Sequence, residues 1–181
     1  DRYRAIPGDM PADQADNAIQ ANVTSGGDAN GKIDDGGTSK WTEPNAVWEH
    51  LSKAGFIKGN YNGSGSKSDL QSAPTNVFNG IPLLVWDDSY LNQAGTQPPE
   101  KVSLHMGRNI PASIARELDV KLDDGRPATG IVRGASTSYS NYGDLGHTAS
   151  DCTTTTKIDS VDVTIWDINT NAADCNPTYL F

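Results

Sequence analysis

The sequence is short of the things most catalytic and membrane-spanning chains display. Among 181 residues there are two cysteines, two methionines, three histidines and three phenylalanines. No stretch approaches the ~20 consecutive apolar residues that a bilayer-spanning helix needs. Basic residues are also scarce: 14 Lys and Arg stand against 23 Asp and Glu, for a net charge of -9. A nucleic-acid binder displaces phosphate counterions with Lys and Arg, so this balance argues against such a partner. It argues equally against anionic membrane surfaces. The apolar share is 35% and the mean hydropathy is -0.55, which implies a thin core under long polar loops.

The familiar catalytic patterns are missing as well. Gly-x-Ser-x-Gly is absent, and His50, His105 and His147 fall on a predicted helix, a predicted strand and a loop. Ser64-Gly65-Ser66-Lys67 spells Ser-x-x-Lys but sits in a Gly/Ser loop, without the helix start that would hold the lysine over the serine. The same loop lacks the Gly-Lys pair of a phosphate-binding loop. The acid pairs Asp34-Asp35, Asp87-Asp88 and Asp123-Asp124 are adjacent in sequence and near turns. Glycosidase carboxyls face each other across a cleft at ~5–9 Å, usually from separate elements. No histidine pair has zinc-ligand spacing. The chain therefore reads as a non-enzyme.

What the sequence does have is Gly, Ser, Thr, Asn and Asp in abundance, which favours turns and side-chain-to-backbone bonding. Its length suits one domain, residues 1–181. A short helix fits Asp13 to Ala21. A second starts at Thr42 or Glu43, with Pro44 in its first turn and Gly55 as its stop. The apolar run Ile81–Trp86 and the alternating Lys101–Met106 read as strands. Pro111 opens a helix with Ile110, Ile114, Leu118 and Leu122 as its expected buried stripe, closed by the turn Asp123–Pro127. Thr129–Arg133 and Ser160–Ile168 read as further strands, with Trp166 placed to pack on a helix or a neighbour. The order predicts an α+β fold with an antiparallel sheet.

Cys152 and Cys175 are the only cysteines and lie close to the C-terminus, which suggests one local disulfide. Closing that loop contributes roughly 3 kcal/mol in the chain-entropy model. Such a bond persists in an oxidising compartment, the periplasm or cell exterior; the competing reading is two buried thiols in a cytosolic protein. The start at Asp1-Arg2-Tyr3-Arg4, without Met, reads as a processed or truncated piece.

The segment from Gly26 to Asp35 is chemically suggestive. With Asn30 at the fifth position of a calcium loop, Gly31 takes the sixth, Lys32 the seventh and Ile33 the eighth. The candidate ligand set is then Asp28, Asn30, Lys32 and Asp34. The first position is Gly26 and the twelfth Gly37, so two strong ligands are missing and a weak, extracellular-grade calcium site is the most it could be. The competing reading is a Gly/Asp turn held by its own side chains.

Four collinear segments carry a resemblance. Tyr3 through Pro11, with Ile6-Pro7-Gly8-Asp9, resembles the start of the globular region in bacterial type IV pilin-like proteins. The Gly/Asn/Asp loop ending Gly31-Lys32-Ile33 resembles the segment that follows there. Glu43–Trp48, His50-Leu51, Ala54–Ile57 and Gly59-Asn60-Tyr61 resemble its Glu/Trp/His-Leu/Ala-Gly block. Ala115–Gly130, with Leu118-Asp119, Lys121–Gly125 and Pro127–Gly130, is similar to its Asp-Asp-Gly signature.

The resemblance implies a pilin-like head. It would have a short antiparallel sheet with helices on one side and a C-terminal disulfide loop from Cys152 to Cys175. It further implies a hydrophobic N-terminal helix outside this chain, held in the inner membrane before cleavage and N-methylation. The expected role is a structural subunit of a type IV pilus or pilus-like filament at the bacterial cell surface. The head would face the periplasm during assembly, and its partners would be copies of itself or related pilins. The alternatives are a pseudopilin of a type II secretion machine and a minor-pilin adhesin that binds surface glycans through loops bearing Tyr61, Tyr139 and Tyr142. Some related pseudopilins bind calcium in the head; no other cofactor is expected.

Overall fold

A computed structural model of the chain describes residues 5–34, 40–64, 69–136 and 149–181. Tyr3, Arg4, Asp35, Gly37, Ser66, Lys67, Tyr139, Tyr142 and His147 lie outside the described residues. The chain forms a mixed helix and strand structure of two compact units, one of Asp1–Thr75 with Leu83–Trp86, the other of Asn76–Pro82 with Asp87–Phe181.

The first unit is built on helices α1 (Ala12–Ile19) and α2 (Thr42–Lys53). Pro11 precedes α1 and Pro44 lies in the first turn of α2, where a missing N–H is no loss. Gly55 follows α2 at φ 79°, the left-handed backbone that ends helices and favours glycine. Every residue of α2 from Glu43 to His50 is buried. A helix enclosed on all sides is normally apolar. This one carries Glu43, Asn45, Glu49 and His50 inward, and each polar group has a partner from the loops wrapped around it.

The second unit holds strands β2 (Lys101–His105), β3 (Val132–Gly134) and β6 (Pro177–Leu180), helix α3 (Ala112–Leu122), and a short helix α4 (Ala149–Cys152) leading into the hairpin β4 (Thr153–Ile158) and β5 (Val161–Trp166). Strand β1 (Leu83–Asp87) ends where this unit takes over the chain. Strand β6 lies between β2 and β3, antiparallel to both, pairing Leu104 and Val132 with Tyr179. The antiparallel sheet expected from sequence is present. Its central strand, β6, follows Cys175 and was not foreseen; nor was β4, whose Thr-rich run Thr153–Thr156 lacks apolar alternation.

One expectation is corrected here. Ile110 is buried, but Ile114 is 41% and Leu122 49% exposed and Leu118 is half-buried. Helix α3 instead buries Ala112, Ala115 and Asp119, small residues that let a large aromatic ring approach the helix closely. That ring is Trp166, read from sequence as packing on a helix or a neighbour; it packs on α3. It shares a cluster with Ile110, Ala112, Ala115 and the two cysteines. The Cys152–Cys175 disulfide is formed, between residues 23 apart. The bond lies inside that cluster, with Cys152 5% and Cys175 1% exposed. Among the described residues, no helix is long and apolar enough to cross a membrane.

Candidate functional site

In the first unit, two separate stretches of sequence converge on α2. The turn Ile6–Met10 docks first: Gly8 has φ 94°, and a Cβ there would lie 2.6 Å from Val47 Cγ2 and 2.7 Å from the Glu43 carbonyl oxygen. Only glycine fits that approach. The Gly8 N–H donates to His50 Nδ1 at 3.1 Å, while His50 Nε2 lies 2.8 Å from the Ser25 carbonyl. An imidazole that accepts at Nδ1 carries its proton on Nε2, so His50 is held neutral in one tautomer. Burial is the main cause that pushes its pKa below the ordinary 6.5.

The second stretch runs from Thr24 to Asp34. Glu49, enclosed on α2, accepts from the Thr24 N–H at 3.0 Å, the Thr24 hydroxyl at 2.8 Å and the Ser25 N–H at 3.0 Å, and Lys53 donates to it at 2.6 Å. Glu43, also enclosed, accepts from the Asp28 N–H at 3.0 Å and the Asp34 N–H at 2.7 Å, one on each carboxylate oxygen. Gly27 passes so close that a Cβ would sit 2.0 Å from Glu43 Oε1. Burial raises the Glu43 carboxyl from 4.5 to about 7, with the charges of Asp34 and Asp9 adding to it against the two N–H donors.

The four residues read from sequence as a calcium loop form a tight series of turns. Asp28 Oδ1 accepts from the Asn30 N–H at 3.0 Å, and Asn30 Oδ1 from the Lys32 N–H at 2.8 Å. The Asn30 amide reaches the Asp34 carboxylate at 3.2 Å. The Lys32 ammonium lies 5.4 Å from the centre of the Trp86 ring, within cation–π range. Ala29 and Gly31 flank Asn30 at φ 63° and 88°.

Two carboxylates that sequence reasoning left out stand against this loop. Asp9 accepts from the Gly31 N–H at 3.1 Å through Oδ2, and its backbone carbonyl accepts from the Ala29 N–H at 2.9 Å. One carboxylate oxygen from each of Asp9, Asp28 and Glu43 lies within 4.8 Å of the others. Asp9 and Glu43 are buried and Asp28 is exposed. The readable signal was the pairing of Pro7-Gly8-Asp9 with the Glu that opens α2, both far in sequence from the loop they hold.

The second unit contains a buried Asp–Ser–His group that the sequence reading also passed over. Ser103 donates to Asp87 Oδ1 at 2.6 Å, His105 Nε2 lies 3.2 Å from Asp87 Oδ2 and 3.3 Å from the Ser103 hydroxyl, and Thr178 meets His105 Nδ1 at 2.8 Å. Ser103 and His105 point to the same face of β2 because they are two residues apart. In a nucleophilic triad the carboxylate holds one ring nitrogen and the serine gives its proton to the other. Here both crowd Nε2 and the serine donates to the carboxylate instead. Ser103 and His105 are fully buried. Within the second unit the group joins Asp87 to Ser103 and His105 on β2 and to Thr178 on β6, and the serine hydroxyl is engaged by the carboxylate. Burial would raise the Asp87 carboxyl, but attraction to His105 and hydrogen bonds from His105 and Ser103 outweigh it and hold the group below its ordinary range.

The Asp-Asp-Gly turn uses its carboxylates on its own backbone. Asp119 accepts from Trp166 Nε1 at 2.7 Å and the Gly125 N–H at 3.0 Å. Asp123 accepts from the N–H groups of Ile131 and Val132, and Asp124 from the Arg126 N–H and the Thr129 hydroxyl. Burial, with the nearby charges of Asp124 and Asp123, raises the Asp119 carboxyl above its ordinary value. These three also form an acid cluster, with its oxygens engaged in closing the turn after α3.

Compared with known proteins, the chain matches no family model, no curated protein and no solved structure.

Proposed function

We propose that this chain is the head of a structural subunit of a type IV pilus-like extracellular filament. One observation carries the reading. The blocks on which the resemblance rests are separate in sequence, yet three of them meet in a single hydrogen-bonded assembly: Gly8 and Asp9 from the first, Asp28 and Gly31 from the second, and Glu43 and His50 from the third. The residues that define the blocks thus hold loops in place, as expected of a shared architecture whose motifs serve folding. The fourth block does the same in its own unit, where Asp119, Asp123 and Asp124 close the turn after α3. A filament subunit needs a soluble outer surface and loops that resist opening, and a net charge of -9 with buried carboxylate anchors serves both.

The deciding experiment is made on the native gene product in its own cells. Immunogold labelling with an antibody to this head should decorate thin surface fibres, and mass spectrometry of the mature protein should find an N-methylated residue opening an apolar helix. Antigen confined to the cytosolic fraction, with an unmethylated and polar N-terminus, would overturn the proposal.

A further inference from the structure

The carboxylates of Asp9, Asp28 and Glu43 present a feature that loop architecture alone does not explain. Asp9 is 6% exposed, and while its Oδ2 takes the Gly31 N–H, its Oδ1 is buried with no hydrogen-bond partner. Burying a polar atom without a partner is costly, and more so for a charged group. Asp9 is kept in one cluster with two further carboxylates, Asp28 and Glu43, where an apolar residue would carry no such penalty. Gly31, whose N–H fixes the other oxygen of Asp9, has φ 88°, so the loop backbone is bent to hold this carboxylate in place.

We propose that Asp9, Asp28 and Glu43 form a binding site for a hard divalent cation of the calcium class, with Asp9 Oδ1 as its buried ligand. Oxygen ligands surround calcium at about 2.3–2.6 Å, so two ligands on opposite sides lie up to about 5 Å apart. The separation of at most 4.8 Å among the three carboxylates fits a single ion. The donors are all oxygen, which selects calcium or magnesium over zinc or copper. Two of them are fixed by backbone N–H groups: Asp9 by Gly31, and Glu43 by Asp28 and Asp34. Asp28 is exposed and completes the site from the solvent side. The assignment moves the centre of the site from the loop's own alternating side chains to the wall behind it. Asn30 then has a different part: its side chain spans from the Lys32 N–H to Asp34 and shapes the loop. Bound cation would lock the loop Gly26–Asp34 onto the start of α2.

The test uses the chain freed of metal with a chelator, then titrated with calcium chloride and separately with magnesium chloride, by calorimetry and by thermal melting. Calcium should bind with a dissociation constant on the order of 0.1–1 mM, the range of extracellular calcium modules, and raise the melting temperature in a way the chelator reverses. Asp28→Asn changes an exposed residue, so it should fold normally and weaken binding by at least about tenfold, because calcium affinity follows ligand charge. Asp9→Asn should abolish binding if it folds. Asp124→Asn, in the other acid cluster, should leave calcium affinity unchanged. No heat and no shift in melting at 10 mM calcium (on the order of ten times the weakest expected constant) would overturn the site. So would calcium binding that Asp28→Asn leaves intact, or that Asp124→Asn removes.

Discussion

The indole N–H of Trp166 on β5 donates to the carboxylate of Asp119 on α3 at 2.7 Å, and both residues are buried, at 2% and 0% exposure. The bond joins the hairpin to the helix at the place where the small residues Ala112 and Ala115 admit the ring. It also explains a buried acid on a helix face that hydropathy would assign to Leu118.

Because each partner leaves the other buried and short of a bond, the pair should be strongly coupled. Trp166→Phe keeps most of the ring and removes the donor; it should cost about 1–3 kcal/mol. Asp119→Ala should cost at least as much, since the Gly125 N–H also loses its acceptor. A double-mutant cycle by urea unfolding should give a coupling energy of about 0.5–3 kcal/mol; additive losses would show the bond to be energetically idle.

Helix α3 should tolerate change where its pattern looks most apolar. Ile114→Ala and Leu122→Ala alter exposed side chains and should stay within about 0.5 kcal/mol of the parent. Ala115→Leu forces extra volume into a fully buried position and should cost about 1–3 kcal/mol. Chemical denaturation of the three variants checks this, and a large loss from Ile114→Ala would return that residue to the core.

Reducing the Cys152–Cys175 bond should affect the hairpin more than the ends of the chain. The chain-entropy contribution of roughly 3 kcal/mol is lost, and the cluster around Trp166 loses its covalent tie. Hydrogen exchange after reduction should quicken across Thr153–Trp166, while the amides of α2, in the other unit, stay protected. Equal protection of the hairpin in both redox states would contradict the buried placement of the bond.

The neutral tautomer of His50 makes the first unit sensitive to mild acid. Its folded pKa lies below 6.5, so between those values the unfolded chain binds more protons than the folded one, and stability rises with pH. As pH falls below 6.5 the His50 contribution should therefore drop, because protonating Nδ1 would set a ring N–H against the Gly8 N–H, while Glu43, raised to about 7, contributes in the opposite direction over the same range. His50→Gln should flatten this dependence between pH 6.5 and the folded pKa. Melting curves of both proteins in that window would reveal it; parallel curves would show that His50 does not titrate with unfolding.

Much of the local structure was legible in the sequence because proline, glycine and strict alternation act through nearest neighbours. Pro44 and Gly55 bounded α2, Pro111 and the Asp123–Pro127 turn bounded α3, and the alternation of Ser160–Ile168 marked β5, while leaving open whether Trp166 packs on a helix or a neighbour. Strands β4 and β6 escaped because a threonine run and a four-residue segment carry no periodic signal of their own; they become strands by pairing with β5, and with β2 and β3.

The candidate site divides in the same way. The loop through Asp28, Asn30 and Asp34 was visible, since its turns close over two to four residues. That Asp9 and Glu43 stand behind it was decided only by the tertiary fold, because a buried carboxylate is tolerated where distant backbone N–H groups come to meet it. With two cysteines the sequence allowed one pairing and left two free thiols as the competing reading; the fold decided for the bond by bringing the two Cα atoms to 5.7 Å. Its position in the core beside Trp166 was set by the packing of α3 against β5, which no spacing of residues announces.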